Sequence, residues 1–336
     1  MEFKCILFSD LHLGIHNNSE IWLNSSICAA KEMIQVAKNN DIEDIIFLGD
    51  FFHNRQSINS KTLWIANEIA DLFEENKIRL WLIVGNHDTY LKNSLKPHSL
   101  RMFDSYNYIK VIDEIRKINE LISLIPWGMD WRDVKSPYIL GHFEINGCEV
   151  GENFTESNAE FKISDFEKYN LVLSGHYHTP SFNQNVFYIG SIMPFTFYDT
   201  DSKRGYYIFD FNEKKASFQF IEFDDCPKYK IIFSDGELKE NEIKGNIIKL
   251  IYKNELSSIE NEDLLSKIQK MKPAILYPDF KNIVSSSNEE NIQLNTNTAI
   301  KSSKDLLFDY INLIEKPKYI NEKTLKSMIN SMLKSQ

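Results

Sequence analysis

All eight histidines of this 336-residue chain lie before position 179, and six of them fall in short polar clusters. The clusters are Asp10-Leu11-His12, Gly49-Asp50-Phe51-Phe52-His53, Gly85-Asn86-His87-Asp88, Gly141-His142 and Gly175-His176-Tyr177-His178. Carboxylate, carboxamide and imidazole together are the mixed oxygen and nitrogen donors that suit manganese, iron or zinc better than magnesium or calcium. A lone histidine after a strand is most often a packing residue. Five such clusters in series, each at the end of an apolar run, read as one site.

The chemistry this set supports is phosphoester hydrolysis. One carboxylate, with Asp50 a plausible choice, can bridge two cations roughly 3.5–4 Å apart, while His and Asn complete each shell without neutralising the pair. Such cations polarise phosphoryl oxygens and bring the pKa of a bound water down toward neutrality. His87 and Asp88 form an adjacent imidazole–carboxylate pair, in which His87 can protonate a leaving alkoxide or stabilise transition-state charge. No Ser, Cys or Lys nucleophile is required. The chain also has no GxxxxGK[ST] phosphate loop, which argues against ATP hydrolysis by this protein itself.

The elements that must position these clusters are legible as alternating β-rich runs and amphipathic helical stretches, the pattern of a layered α/β fold. Strands are predicted over 3–8, 44–48, 79–84, 120–125, 138–140 and 171–174, and helices over 21–39 and 61–75. Each cluster follows one of the strands. In open α/β sheets, ligands bind outside the carboxyl ends of the strands, so the clusters can converge on one crevice.

Beyond Phe211 the texture changes to Lys- and Glu-dotted segments such as 229–233 and 246–252, with a helix near 263–271. The resulting division is an α/β domain over 1–211, a small α+β appendage over 212–284, a flexible polar linker over 285–303 and a helical tail over 304–336. In the tail, Leu325, Met328, Ile329, Met332 and Leu333 make one apolar face, and Leu307, Tyr310, Ile311 and Ile314 make another.

The hydrophobic fraction of 43% and charged fraction of 26% are those of a globular protein. A net charge of −10 argues against a chain that grips nucleic acid by its own overall field, because that mode needs many cations facing phosphates. Two bound divalent cations would reverse the field locally, and a partner could provide the wider surface. Lys92, Lys96, Arg101 and the Lys203-Arg204 doublet are candidate phosphate contacts, with solvated surface the commoner role of such scattered basic residues. Cys5, Cys28, Cys148 and Cys226 are widely spaced, so reduced thiols are expected rather than a disulfide framework or a zinc ribbon. The apolar start, Phe3 to Phe8, is too short for a signal peptide or a membrane span, and a cytoplasmic protein without membrane contact is expected.

The series Asp-x-His, Gly-Asp, Gly-Asn-His-Asp, Gly-His and Gly-His-x-His resembles the calcineurin-like metallophosphoesterase superfamily. Within it, three features resemble the SbcD-type nucleases of double-strand-break repair and the nuclease subunits of phage recombination endonucleases. They are His53 after Gly-Asp-x-Phe, Leu124-Ile125-Pro126-Trp127 before Gly141-His142, and Tyr188-Ile189-Gly190-Ser191 after the last His pair. The strong resemblance covers residues 1 to about 210. It implies a metallophosphoesterase-type layered α/β sandwich with a small α+β capping domain and a C-terminal helical tail.

Carried over position by position, the resemblance implies that Asp10, His12, Asp50 and His178 surround one metal ion and that Asp50, Asn86, His142 and His176 surround a second. Manganese is the ion it implies. His87, with His53, would assist catalysis, and Asp88 would orient His87. The activity implied is metal-dependent DNA phosphodiester hydrolysis, exonuclease or endonuclease, in an SbcCD-like end-processing and recombination complex. Its partners would be DNA, an SbcC-type coiled-coil ATPase docked on the tail, and a second copy of the chain in a heterotetramer. For that pairing the stripe Leu63, Ile65, Ile69 and Leu72 is the candidate face, with intramolecular core as the alternative. Two further readings compete. One is a metallophosphoesterase acting on a phosphoprotein or a small phosphodiester, since fold and metal centre are shared across substrates. The other is a non-catalytic scaffold, which the complete set of candidate ligands argues against.

Overall fold

Strands whose apolar residues run without interruption are buried on both faces, and that is what the computed structural model of the protein shows. Its described residues are 2–279, apart from 93, 152, 153, 156–158, 160, 201 and 255. They lie within one compact unit over 1–283. The linker and tail expected over 285–336 lie outside the described residues.

A six-stranded sheet has the order Ala216–Glu222, Gly205–Asn212, Glu2–Phe8, Asp44–Phe47, Arg79–Ile83 and Ile109–Ile112. From Glu2–Phe8 onward the pairing is parallel, and the two strands before it are antiparallel. A second six-stranded sheet runs Ser181–Asn183, Val186–Tyr188, Leu171–Gly175, Tyr138–His142, Ile122–Ile125 and Arg116–Lys117, parallel through its four central strands.

Period-two alternation sorts the first sheet's side chains between two layers. Cys5, Leu7, Ile46, Leu48 and Ile83 point to the second sheet and pack with Leu124, Leu140 and Leu173. Ile6, Phe8, Ile45, Phe47 and Leu80 point the other way, onto the helices Glu20–Asn39 and Ser60–Asn76. Those helices present Trp22, Leu23, Met33, Ile65, Ile69 and Phe73 to the strands. The outer face of the second sheet is covered by Trp131, Phe166 and Tyr169 against Ile139 and Val172. Helices, two sheets and covering loops make the expected α/β sandwich.

Two expectations change. The strand Ala216–Glu222, placed after the boundary at 211 because Lys- and Glu-dotted segments follow it, is hydrogen-bonded into the first sheet. The appended elements therefore begin at the three-stranded sheet Tyr229–Phe233, Ile247–Ile251, Ile275–Asp279, with the helix Ser258–Lys270 packed through Ile268 onto Ile248 and Leu250. Three of the four residues considered for pairing two copies belong to the core: Ile65 and Ile69 are buried and Leu72 packs against the same cluster, while Leu63 is half-buried. The large exposed side chain of that helix is Trp64, at 68%.

Candidate active site

The parallel strands of both sheets bring their carboxyl ends, and the clusters that follow them, to one edge. Four candidate ligands sit there in left-handed backbone: Asp10 at φ 51°, His12 at 45°, Asp50 at 63° and His176 at 90°. L-residues seldom adopt such conformations, and they persist where surrounding contacts over-determine them. Two glycines show how closely the turns meet. A Cβ on Gly85 would fall 2.2 Å from the Asp50 nitrogen, and one on Gly175 would fall 2.0 Å from Ser9 Oγ and 2.5 Å from the Leu48 carbonyl oxygen. Only glycine lets these loops touch.

Asp50, His142 and His176 form one group whose donor atoms lie within 4.8 Å of one another, and Asp10, His12 and His178 form another. In the first, His142 Nε2 is 3.3 Å from Asp50 Oδ2 and 2.9 Å from Asn86 Oδ1, and His176 Nδ1 is 3.0 Å from the same Asn86 oxygen. His142 Nδ1 donates to the Leu48 carbonyl at 2.6 Å, which orients the ring with Nε2 toward the group. In the second, the Nε2 atoms of His12 and His178 are 3.0 Å apart and each is 3.8 Å from Asp10 Oδ1. Asp50 lies between the groups, since its Oδ2 is also 3.7 Å from His12 Nε2.

The charges follow from burial and pairing. Burial alone would lower His142, but the Asp50 carboxylate overrides it and pushes the imidazole up to about 9. Burial would raise Asp50, yet His142 holds it well below the usual carboxylate range. His176 is pushed down to about 3 by burial and by the neighbouring His142. Burial likewise takes His12 well below its ordinary value and raises Asp10. Ring nitrogens and side-chain oxygens converge on two small volumes. That donor set fits a pair of divalent cations of the borderline kind.

His87 and His53 line the side of the second group. The rings of His12, His53 and His87 meet, His12 lying 5.4 Å from His53 and 4.9 Å from His87 between centroids. His87 Nδ1 donates to the His53 carbonyl at 2.7 Å, which fixes the ring and leaves Nε2 outside that bond. Here the structure corrects the expectation for Asp88. Its carboxylate accepts from the backbone N–H groups of Gly85, Asp50, Phe51 and Phe52 at 2.9–3.1 Å, clamping the second cluster to the third. Burial, with the nearby Asp50, raises it to about 7. His87 is oriented by a main-chain carbonyl instead.

The basic doublet also divides. Lys203 pairs with Glu222 at 2.8 Å on the surface, whereas Arg204 is buried, pairs with Asp199 and donates to the His178 carbonyl. Arg204 therefore steadies the last cluster and offers no phosphate contact. Phe195, which the motifs left out, lies 5.6 Å from the His12 ring and 5.3 Å from the His178 ring, and its carbonyl accepts from Tyr229 Oη at 2.6 Å. His16 Nε2 bonds the same carbonyl at 2.9 Å, and His98 lies 3.4 Å from Asp113, so neither joins the cluster.

Fold and site together define a metallophosphoesterase. Residues 3–180 match the family described as calcineurin-like phosphoesterase, and the chain belongs to that family. It is 33% identical over 229 residues to exonuclease subunit 1 of Enterobacteria phage T4, covering 64% of this chain and 67% of the relative. It is 22% identical over 285 residues to the SbcD subunit of the SbcCD nuclease from Staphylococcus saprophyticus, covering 72% of this chain and 75% of the relative. Among solved structures, a dimetal phosphatase from Danio rerio is similar over 66% of this chain and 96% of its own, with a TM-score of 0.42 and 10% identity. The SbcD-type resemblance carried by the motifs is thus borne out. No helix among the described residues is long and apolar enough to cross a membrane.

Proposed function

We propose that this protein is a two-metal DNA phosphodiesterase, the nuclease subunit of an end-processing complex with a coiled-coil ATPase of the SbcC type. The observation that carries the reading is the position of Asp50, whose Oδ2 lies 3.3 Å from His142 Nε2 and 3.7 Å from His12 Nε2, between two groups of donors. Asp10, His12, Asp50 and His178 would hold one cation, and Asp50, Asn86, His142 and His176 the other. Divalent cations bound there, manganese by family resemblance, supply Lewis-acid polarisation of the phosphoryl group and an activated water.

The chain's own groups do the rest. His87 Nε2 delivers a proton to the leaving oxygen, with its ring fixed through Nδ1 to His53. His53 flanks His12 and His87 and limits how substrate approaches them. Asp88 holds the loops that carry Asp50 and Asn86 in register.

DNA as substrate is supported by the relatives named as an exonuclease subunit and as a nuclease. The net charge of −10 supports reliance on a partner for grip on DNA. Segment 304–336 is the proposed docking tail for that ATPase, and two nuclease chains per assembly complete the proposal. The test is cleavage of linear duplex, hairpin and single-stranded DNA by the purified full chain in manganese, with and without the ATPase. Phosphodiester cleavage abolished by chelator and restored by manganese is expected. Hydrolysis of p-nitrophenyl esters with no cleavage of any DNA would transfer the site to phosphoprotein or small-diester chemistry.

A further inference from the structure

Trp127 belongs to neither group of candidate ligands, yet its ring is held against one of them. Its backbone N–H donates to the Val84 carbonyl and its indole N–H to the Lys92 carbonyl, both at 2.9 Å. Both ends of the residue are therefore tied to the chain on either side of the Gly85–Asp88 cluster. The ring centroid lies 5.4 Å from that of His176 and 5.9 Å from that of His142.

The same ring lines a cleft of about 680 Å³ with Met129, Phe143, Phe161 and His142, so the cleft opens beside the candidate metal centre. That volume is within the range that accepts a small ligand, roughly 300–1,000 Å³. The charges at its rim decide what kind. Lys92 lies 3.8 Å from Glu144 and Arg132 pairs with Asp130 at 2.7 Å. A second phosphate entering there would meet as much negative as positive charge. An uncharged planar group would meet an immobilised indole and apolar walls.

We infer that this cleft receives the nucleobase of the nucleotide adjoining the scissile phosphate, stacked on Trp127. The inference rests on the proposed phosphodiesterase reading of the neighbouring site. It makes Trp127 a substrate-binding residue that tolerates any base, because every base has a π-face.

The experiment is calorimetric titration of the manganese-loaded full chain with deoxyadenosine 5′-monophosphate and, separately, deoxyribose 5-phosphate. The wild type is expected to bind the nucleotide about tenfold or more tightly than the sugar phosphate. Trp127→Ala should erase that difference with manganese content unchanged, and Trp127→Phe should retain most of it. In turnover of single-stranded oligonucleotides, Trp127→Ala should raise KM by about tenfold and leave kcat within a small factor. Equal weakening of both ligands in Trp127→Ala would reduce the residue to packing for His176 and overturn the proposal, as would a wild type indifferent to the base. Base-dependent binding by a protein that cuts no DNA would sustain the cleft and sink the nuclease reading. DNA cleavage without base preference would do the reverse.

Discussion

The two halves of the candidate centre are held in different ways. In the first half, built on Asp50, His142 and His176, His142 is anchored through Nδ1 to a strand-end carbonyl. In the second half, built on Asp10, His12 and His178 and as buried as the first, the rings of His53 and His87 stand beside His12. The first half thus presents an imidazole with little freedom to turn, while the second sets two further imidazoles beside its donors. Asp50 is the residue common to both, so variants along this axis can break or sharpen the comparison.

Asp50→Ala carries the largest expected effect. It removes the shared carboxylate, so both ions should be lost and turnover should fall by more than about 10³-fold. Metal analysis beside kinetics checks this, and two ions still tightly held in the variant would show that the halves do not share Asp50. His87→Ala should act on one half alone. Both ions should stay, and kcat should fall about 10²- to 10⁴-fold with little change in KM. Loss of metal from this variant would move His87 from proton donor to ligand.

Asp88→Asn comes next. A carboxamide cannot accept from four backbone donors, and its own N–H groups would confront some of them. Turnover should drop about 10- to 100-fold, and the metal-free fold should lose about 1–3 kcal/mol in urea denaturation. A residue that only oriented His87 would lower kcat and leave the unfolding midpoint where it was.

Asp88 also shows where sequence reasoning stops. The positions of the strands were legible because Phe3–Phe8, Ile45–Leu48 and Leu80–Val84 are unbroken apolar runs, and the clusters were legible because each sits one turn past such a run. The side chain's partner was not. Adjacency to His87 pointed one way, but consecutive side chains on a tight turn diverge, and the clamp's donors come from Gly85 and from 50–52, more than thirty residues upstream. Arg204 was hidden for the same reason: a basic doublet looks like surface until tertiary packing buries one member on Asp199. Ala216–Glu222 misled because it follows the charged turn Glu213-Lys214-Lys215 and, as an edge strand with no fully buried residue, has nothing in its own burial that ties it to the sheet. Trp127 was visible only as part of a motif, since nothing in sequence places its ring beside histidines 15 and 49 residues away.

The smallest expected effect is one of pH, and it separates the residues by sign. His142 in the first half has its folded-state pKa raised to about 9, so its proton stabilises the metal-free fold. That contribution is complete below the unfolded value, about 6.5, and is lost as pH rises through about 9. His176, pushed down to about 3, and His12, also lowered, work the other way. They are neutral in the fold while the unfolded chain takes up protons, so stability falls as pH drops below about 6.5. Chelator-treated protein should therefore show a melting temperature that declines above neutrality, while on the acid side Asp88 and Asp10, both raised and so protonated in the fold, offset part of the loss from the histidines. His142→Gln should remove the alkaline limb and leave the acid side as it was. Manganese affinity of the wild type should climb through the same alkaline window, because the ion displaces the His142 proton. An alkaline limb that survives in His142→Gln would assign the proton to another group, and the contrast between the two halves would then rest on the histidines beside His12 alone.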